Sequence, residues 1–156
     1  GEVGATSIED VMIALKSLKG DAKRGEALFT QQGCVVCHTL SKDEKPKGPY
    51  MGHVGSILNA EQIAESILKP NASISQGFAT TIVVKKDGGG VTGFVSKESA
   101  EEIEVRDITG NVTRVKTADI ASRTVMETSV MPPGLANALS LQDFASLVAF
   151  LSGRKE

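Results

Sequence analysis

The sequence is poor in aromatic residues, with no Trp, one Tyr and five Phe in 156 residues. That is few for a core of this size, and it is compatible with an interior partly occupied by a bound aromatic group. Cysteine is scarce as well. Two cysteines are too few for a scaffold that is held together by disulfides.

Long hydrophobic runs and an excess of positive charge are also lacking. No stretch approaches about 18 consecutive apolar residues, so no segment is predicted to span a membrane. The net charge is −2 and the isoelectric point is near 5.8. The chain therefore lacks the excess positive charge that attracts nucleic acid, and nucleic acid is not a predicted partner. The chain opens on "GEVGATSIED", without an initiator Met or a secretory segment, which predicts a processed protein or part of a longer one.

The composition that is present is that of an ordinary soluble globular domain, with 40% hydrophobic and 23% charged residues. Apolar residues at helical spacing predict four helices, which begin near residues 7, 21, 59 and 140. Ser7, Asn59 and Ser140 are the predicted N-caps, since each directly precedes an apolar stripe. The first helix is predicted to extend to residue 19.

The character of the sequence changes at about residue 78. Apolar and polar residues alternate in "FATTIVVKKDGGG", "VTGFVSK", "EEIEVRD" and "VTRVKTADI", and turn residues separate these runs. Four short strands with short connections predict an antiparallel meander. The stretch "METSVMPPGLANA", with two methionines and two prolines, is predicted to be a loop before the last helix.

The stretch "GCVVCHTL" holds both cysteines, Cys34 and Cys37, and His38 follows directly. A thiol-exchange motif normally starts a helix after a strand, and here the preceding segment is predicted to be helical. A structural zinc site needs four ligands, of which the two cysteines and His53 supply only three. Haem attachment uses the whole motif, through thioether bonds to both cysteines and a histidine turned towards the iron, and C-x-x-C-H is its signature.

This motif and two later stretches resemble a class I c-type cytochrome, in "RGEALFTQQGCVVCHTL", "ESILKPNASISQGF" and "VMPPGLANALSLQDFASLVAFL". Within that class the chain resembles the Pirellula/Verrucomicrobium-type haem-binding domain subfamily. The resemblance implies a mainly α fold, with class I cytochrome c helices around one covalent haem c. A small antiparallel β insert (about 78–117) precedes the methionine loop. The implied division is an N-terminal helical extension (1–20) and a cytochrome c domain (21–156) whose β-rich insert covers 78–124.

Iron that is bound by one histidine needs a second axial ligand or keeps an open position. Met131 is the predicted ligand, because a residue before proline is pushed out of the α region and its side chain is held away from the local backbone. Met126 and His53 are rivals for this role, and an open site is the remaining alternative.

The resemblance also assigns roles to residues around the haem. The Pro49 carbonyl is expected to accept a hydrogen bond from His38, and Tyr50 is a candidate donor to a haem propionate. Gly25 is expected to allow a close crossing of its helix with the last one. The predicted cofactor-binding residues are Cys34, Cys37, His38, Met131, Pro49 and Tyr50, with His38 and Met131 as the iron ligands.

A haem with both axial positions filled leaves no site for a substrate, so the predicted function is one-electron transfer between a dehydrogenase and an acceptor. The chain is then an electron carrier rather than an enzyme, alone or as the electron-transfer domain of a larger oxidoreductase. The alternative is a haem-based sensor or catalytic haem domain with a labile sixth ligand. Covalent haem attachment normally occurs outside the cytoplasm, which implies a periplasmic or otherwise exported protein with redox partners.

Overall fold

A computed structural model of the chain describes residues 1–44, 48–75 and 77–155. The helices in this part of the chain are Ile8–Leu15 (α1), Ala22–Gln31 (α2), Val54–Ile57 (α3), Ala60–Leu68 (α4) and Leu141–Ser152 (α5). None of these described helices has the length and apolar character that crossing a membrane requires. The first helix ends at Leu15, which is earlier than predicted.

The helices start at side chains that accept hydrogen bonds from the first turn. Ser7 and Ser140 each accept from the backbone N–H three residues on, at 3.1 Å and 3.0 Å. Asn59 accepts from the Gln62 N–H at 2.8 Å, and the Gln62 side chain accepts from the Asn59 N–H at 2.9 Å. All three predicted N-caps are confirmed, and Asn59 forms a complete capping box with Gln62.

The strands form one antiparallel sheet and comprise Ala79–Lys85 (β1), Gly90–Glu98 (β2), Glu102–Arg106 (β3), Val112–Lys116 (β4) and Ile120–Ser129 (β5). Their order is β4-β3-β2-β1-β5, so the first four strands make the predicted meander and β5 returns to pair with β1. Val83 pairs with Val91, and Val95 pairs with Val105. These β-branched residues contribute to a small core that belongs to the sheet alone.

The prediction of a mainly α, class I cytochrome c helical fold with a small β insert is wrong. The described residues are 34% helical and 25% strand, and they form a sheet of five strands. β5 continues to Ser129, beyond the predicted end of the insert, in a stretch predicted in part to be a loop. It was missed because residues 121–128 are all exposed, so "IASRTVMETS" has no alternation of buried and exposed positions.

The helices share a second, larger core. α2 and α5 cross closely, since a Cβ at Gly25 would overlap Ser146 and the rings of Phe29 and Phe150 have centroids 5.9 Å apart. The close approach predicted at Gly25 is therefore confirmed.

The N-terminal segment packs on this same core. Val3 and Val11 are buried in it, and the Val3 N–H donates to the Leu139 carbonyl at 2.9 Å. The division of the chain at residue 20 stays a prediction, but residues 1–20 share the hydrophobic core of α5.

Candidate functional site

A cavity of about 340 Å³ is bounded by both the helices and the sheet. Its wall is mostly apolar, with Phe29, Ile63 and Leu147 on the helical side and Phe94 on the sheet side. Four residues predicted to bind the cofactor through their side chains also line it, namely Cys34, Cys37, His38 and Met131. The fold thus brings the distant Met131 to the same cavity as the cysteine motif.

The cysteine motif begins with a 3₁₀ turn, Cys34–Val36, which follows α2 almost directly. Gly33 makes the connection, because its φ of 81° lies in the left-handed region that glycine adopts without strain. The His38 N–H donates to the Cys34 carbonyl at 2.8 Å, a helical link between residues four apart. Cys34 and His38 are therefore one turn apart, and both are half-buried at the cavity wall.

The two cysteines are half-buried, and the backbone at Cys37 is closely approached by another part of the chain. A Cβ at Gly48 would lie only 2.8 Å from the Cys37 carbonyl oxygen, so glycine is needed for the chain to pass behind Cys37. Burial raises the pKa of the Cys34 thiol, and the adjacent Cys37 adds to this. Cys34 is thus a protonated thiol at neutral pH.

The ring of His38 is held in one orientation and one tautomer. Nδ1 lies 2.8 Å from the Pro49 carbonyl oxygen. Because a carbonyl only accepts, Nδ1 carries the hydrogen and Nε2 keeps its lone pair. Burial lowers the pKa of His38, opposed by the hydrogen bond to Pro49, so the ring is neutral near pH 7. A neutral imidazole with an available Nε2 is the form that binds a metal.

The methionines separate into those at the cavity and those away from it. Met51 and Met131 line the cavity. The Met51 N–H donates to the Thr39 carbonyl at 2.8 Å, which ties Met51 to the residue after His38. Met126 lies on β5, is 39% exposed and is not among the described residues of the wall. Of the two methionines that precede α5, Met131 lines the cavity that His38 also lines, and Met126 is not among its described wall residues.

Tyr50 and His53 are not brought to the described part of the cavity wall. Their rings stack on each other with centroids 5.0 Å apart. Tyr50 Oη and His53 Nδ1 are buried without a hydrogen-bond partner among the described residues. The roles of Tyr50 as a propionate donor and of His53 as a rival ligand stay predictions.

The sheet supplies wall residues that the sequence did not indicate. Phe78 and Phe94 pack with ring centroids 5.1 Å apart, and both line the cavity, as does Ile108 after β3. The following turn approaches the cysteine motif, since a Cβ at Gly110 would lie 3.5 Å from Val36. The only available signal was that two of the five phenylalanines fall within the strand-rich region. The sheet therefore forms one side of the site.

Comparison of the chain with curated proteins found no match. The family model described as cytochrome c matches residues 22–109, which include the cysteine motif and end before Met131. Because this match covers more than half of the chain, the protein belongs to the cytochrome c family, whose members bind haem covalently and transfer electrons.

Proposed function

We propose that the chain carries one electron at a time on a single haem c, with thioether bonds to Cys34 and Cys37 and with His38 and Met131 as axial ligands. The observation that supports this proposal is that all four side chains line one apolar cavity of about 340 Å³. An imidazole nitrogen and a thioether sulfur are the axial ligand pair of cytochromes c.

The residues of the chain have separate tasks in this proposal. When bound, the haem supplies a one-electron couple whose potential depends on the axial ligands, hydrogen bonds and burial. The Pro49 carbonyl fixes the His38 ring, so that Nε2 keeps one direction and its basicity is raised. Apolar side chains such as Ile63, Leu147 and Phe94 limit the access of water to the cavity.

In this role the chain receives electrons from a dehydrogenase and passes them to an acceptor protein. It works outside the cytoplasm, because covalent haem attachment normally occurs there. On the sequence resemblance, we also propose that it belongs to the Pirellula/Verrucomicrobium-type subfamily. Val35, Val36 and Ile108 are exposed apolar side chains, the first two within the cysteine motif and the third at the cavity. We propose this surface for weak docking of redox partners, which use small interfaces.

Met131→Ala is expected to abolish the long-wavelength ferric charge-transfer band that reports a methionine sulfur on haem iron. The ferrous variant should also bind carbon monoxide rapidly, because one axial position is then open, whereas the wild type should resist binding. Met126→Ala is the matched control, since it removes the other methionine near α5 and should keep the wild-type spectrum. Absorption spectra of the purified holoproteins, with and without carbon monoxide, measure both effects.

Other outcomes would contradict parts of this proposal. Rapid binding of carbon monoxide by the wild type would favour a sensor or catalytic haem domain with a labile sixth ligand. Loss of the ferric band in Met126→Ala but not in Met131→Ala would assign the ligand to β5. A pyridine haemochrome spectrum without a c-type band would exclude covalent haem at Cys34 and Cys37.

A further inference from the structure

We infer that Asn71 and Ser129 form a hydrogen-bond relay that positions Met131, an inference that rests on the proposed ligation of iron by Met131. Asn71 Oδ1 accepts from the Ser129 backbone N–H at 2.8 Å. Ser129 Oγ accepts in turn from the Met131 backbone N–H at 3.1 Å. The relay links the segment after α4 to the loop that carries Met131.

The strand pairing before Met131 is irregular, so the sheet alone does not fix the position of the Met131 loop. Thr81 of β1 pairs with Val125 of β5, and the next pair is Ala79 with Ser129. β5 therefore advances four residues where β1 advances two, so β5 bulges at its end. Met131 lies beyond the last residue of β5 and is outside the sheet ladder. The two hydrogen bonds of the relay therefore hold the chain where the regular ladder has stopped.

Asn71 acts from outside the haem cavity. It is exposed and is not among the described residues of the wall, whereas Pro70 and Ser73 on either side of it line the cavity. Ser129 and Met131 line the cavity from the other segment. Asn71 thus joins two wall segments without facing the cofactor, and it is a positioning residue that acts on Met131 through Ser129.

A looser Met131 loop has a measurable consequence for ligand exchange. An external ligand such as imidazole has to displace Met131 from ferric iron, so its apparent affinity is proportional to the fraction of protein with Met131 detached. Loss of one hydrogen bond that favours the attached state is expected to raise that fraction about fivefold. Imidazole titration of the ferric holoprotein therefore measures the relay directly.

Asn71→Ala and Ser129→Ala are each expected to bind imidazole about fivefold more tightly than the wild type. Asn71→Asp keeps an oxygen acceptor and Ser129→Thr keeps the hydroxyl, so both should remain near the wild-type affinity. The double alanine variant should resemble either single variant rather than reach about 25-fold, because groups that act in series are not additive.

Asn59→Ala is the matched control for a general loss of stability. It removes a side-chain hydrogen bond to the Gln62 N–H at the start of α4, with a cost similar to that of other N-cap substitutions. Its melting temperature should fall, while its imidazole affinity should stay at the wild-type value. A merely structural role of Asn71 would instead make Asn71→Ala behave like Asn59→Ala.

Met131→Ala separates a failure of this inference from a failure of the proposed function. If Met131→Ala binds imidazole as weakly as the wild type, Met131 is no ligand and the proposed ligation is wrong. If Met131→Ala binds tightly but Asn71→Ala does not differ from the wild type, the ligation stands and the relay is overturned. Equal tightening in Asn71→Ala and Asn59→Ala would also overturn it.

Discussion

Gly25→Ala is expected to lower the free energy of unfolding by about 3 kcal/mol. A Cβ at this position would overlap the Ser146 carbonyl oxygen and lie 2.7 Å from Phe150 Cβ. Because a backbone carbonyl cannot rotate away, α2 and α5 would have to separate, which would loosen the contact between Phe29 and Phe150. The gain from replacing a helical glycine, about 0.5–1 kcal/mol, is too small to offset this cost. Denaturant unfolding of the holoprotein measures the change.

Gly153→Ala is the matched control, because Gly153 lies at the C-terminal end of α5, the helix that Gly25 of α2 packs against. Gly153 has a φ of −82°, and the nearest atoms to a Cβ there are backbone oxygens at 3.5 Å, which is ordinary contact. The free energy of unfolding of Gly153→Ala should stay within about 0.5 kcal/mol of the wild-type value. Equal stability of Gly25→Ala and Gly153→Ala would show that the helix crossing tolerates a wider spacing than its backbone contacts indicate.

The features predicted correctly from the sequence depend on local chemistry. A cap such as Asn59 is specified by residues within one turn, so the sequence states it directly. The preference for Met131 over Met126 as the iron ligand also came from a local property, the proline that follows it. Met131 lines the cavity and Met126 is not among the described wall residues, while ligation of iron by Met131 stays a proposal.

The features that were missed depend on contacts between distant parts of the chain. β5 is an edge strand whose exposed side chains carry no burial pattern, so only its pairing with β1 identifies it. Phe94 has the alternation of an ordinary strand residue, and nothing local shows that it lines the same cavity as the cysteine motif. The stacking of Tyr50 on His53 was not indicated by the sequence either, and the role of Tyr50 as a propionate donor stays a prediction.

The wild-type chain produced without haem attachment is expected to lose most of its hydrogen-exchange protection in α4 and α5. The core of these helices borders the cavity directly, through residues such as Ile63, Leu147 and Leu151. At about 24 cal/mol per Å³, an unfilled apolar cavity of about 340 Å³ gives an upper estimate of about 8 kcal/mol. That is comparable with the whole stability of a typical domain, about 5–15 kcal/mol.

The sheet is expected to keep more of its protection in the same haem-free chain. Its buried residues Val83, Ile103, Val105 and Val115 form a separate core, and none of them is part of the described cavity wall.

Hydrogen exchange of haem-free and haem-bound chains of identical sequence, read by mass spectrometry, compares the two cores without any substitution. Cys34→Ala is the control, because this variant keeps the thioether to Cys37. Its α5 should show the same hydrogen-exchange protection as α5 of the haem-bound wild type. A uniform loss of protection in helices and sheet would mean that the two cores unfold as one unit, and an unchanged α5 would mean that the helices do not need haem.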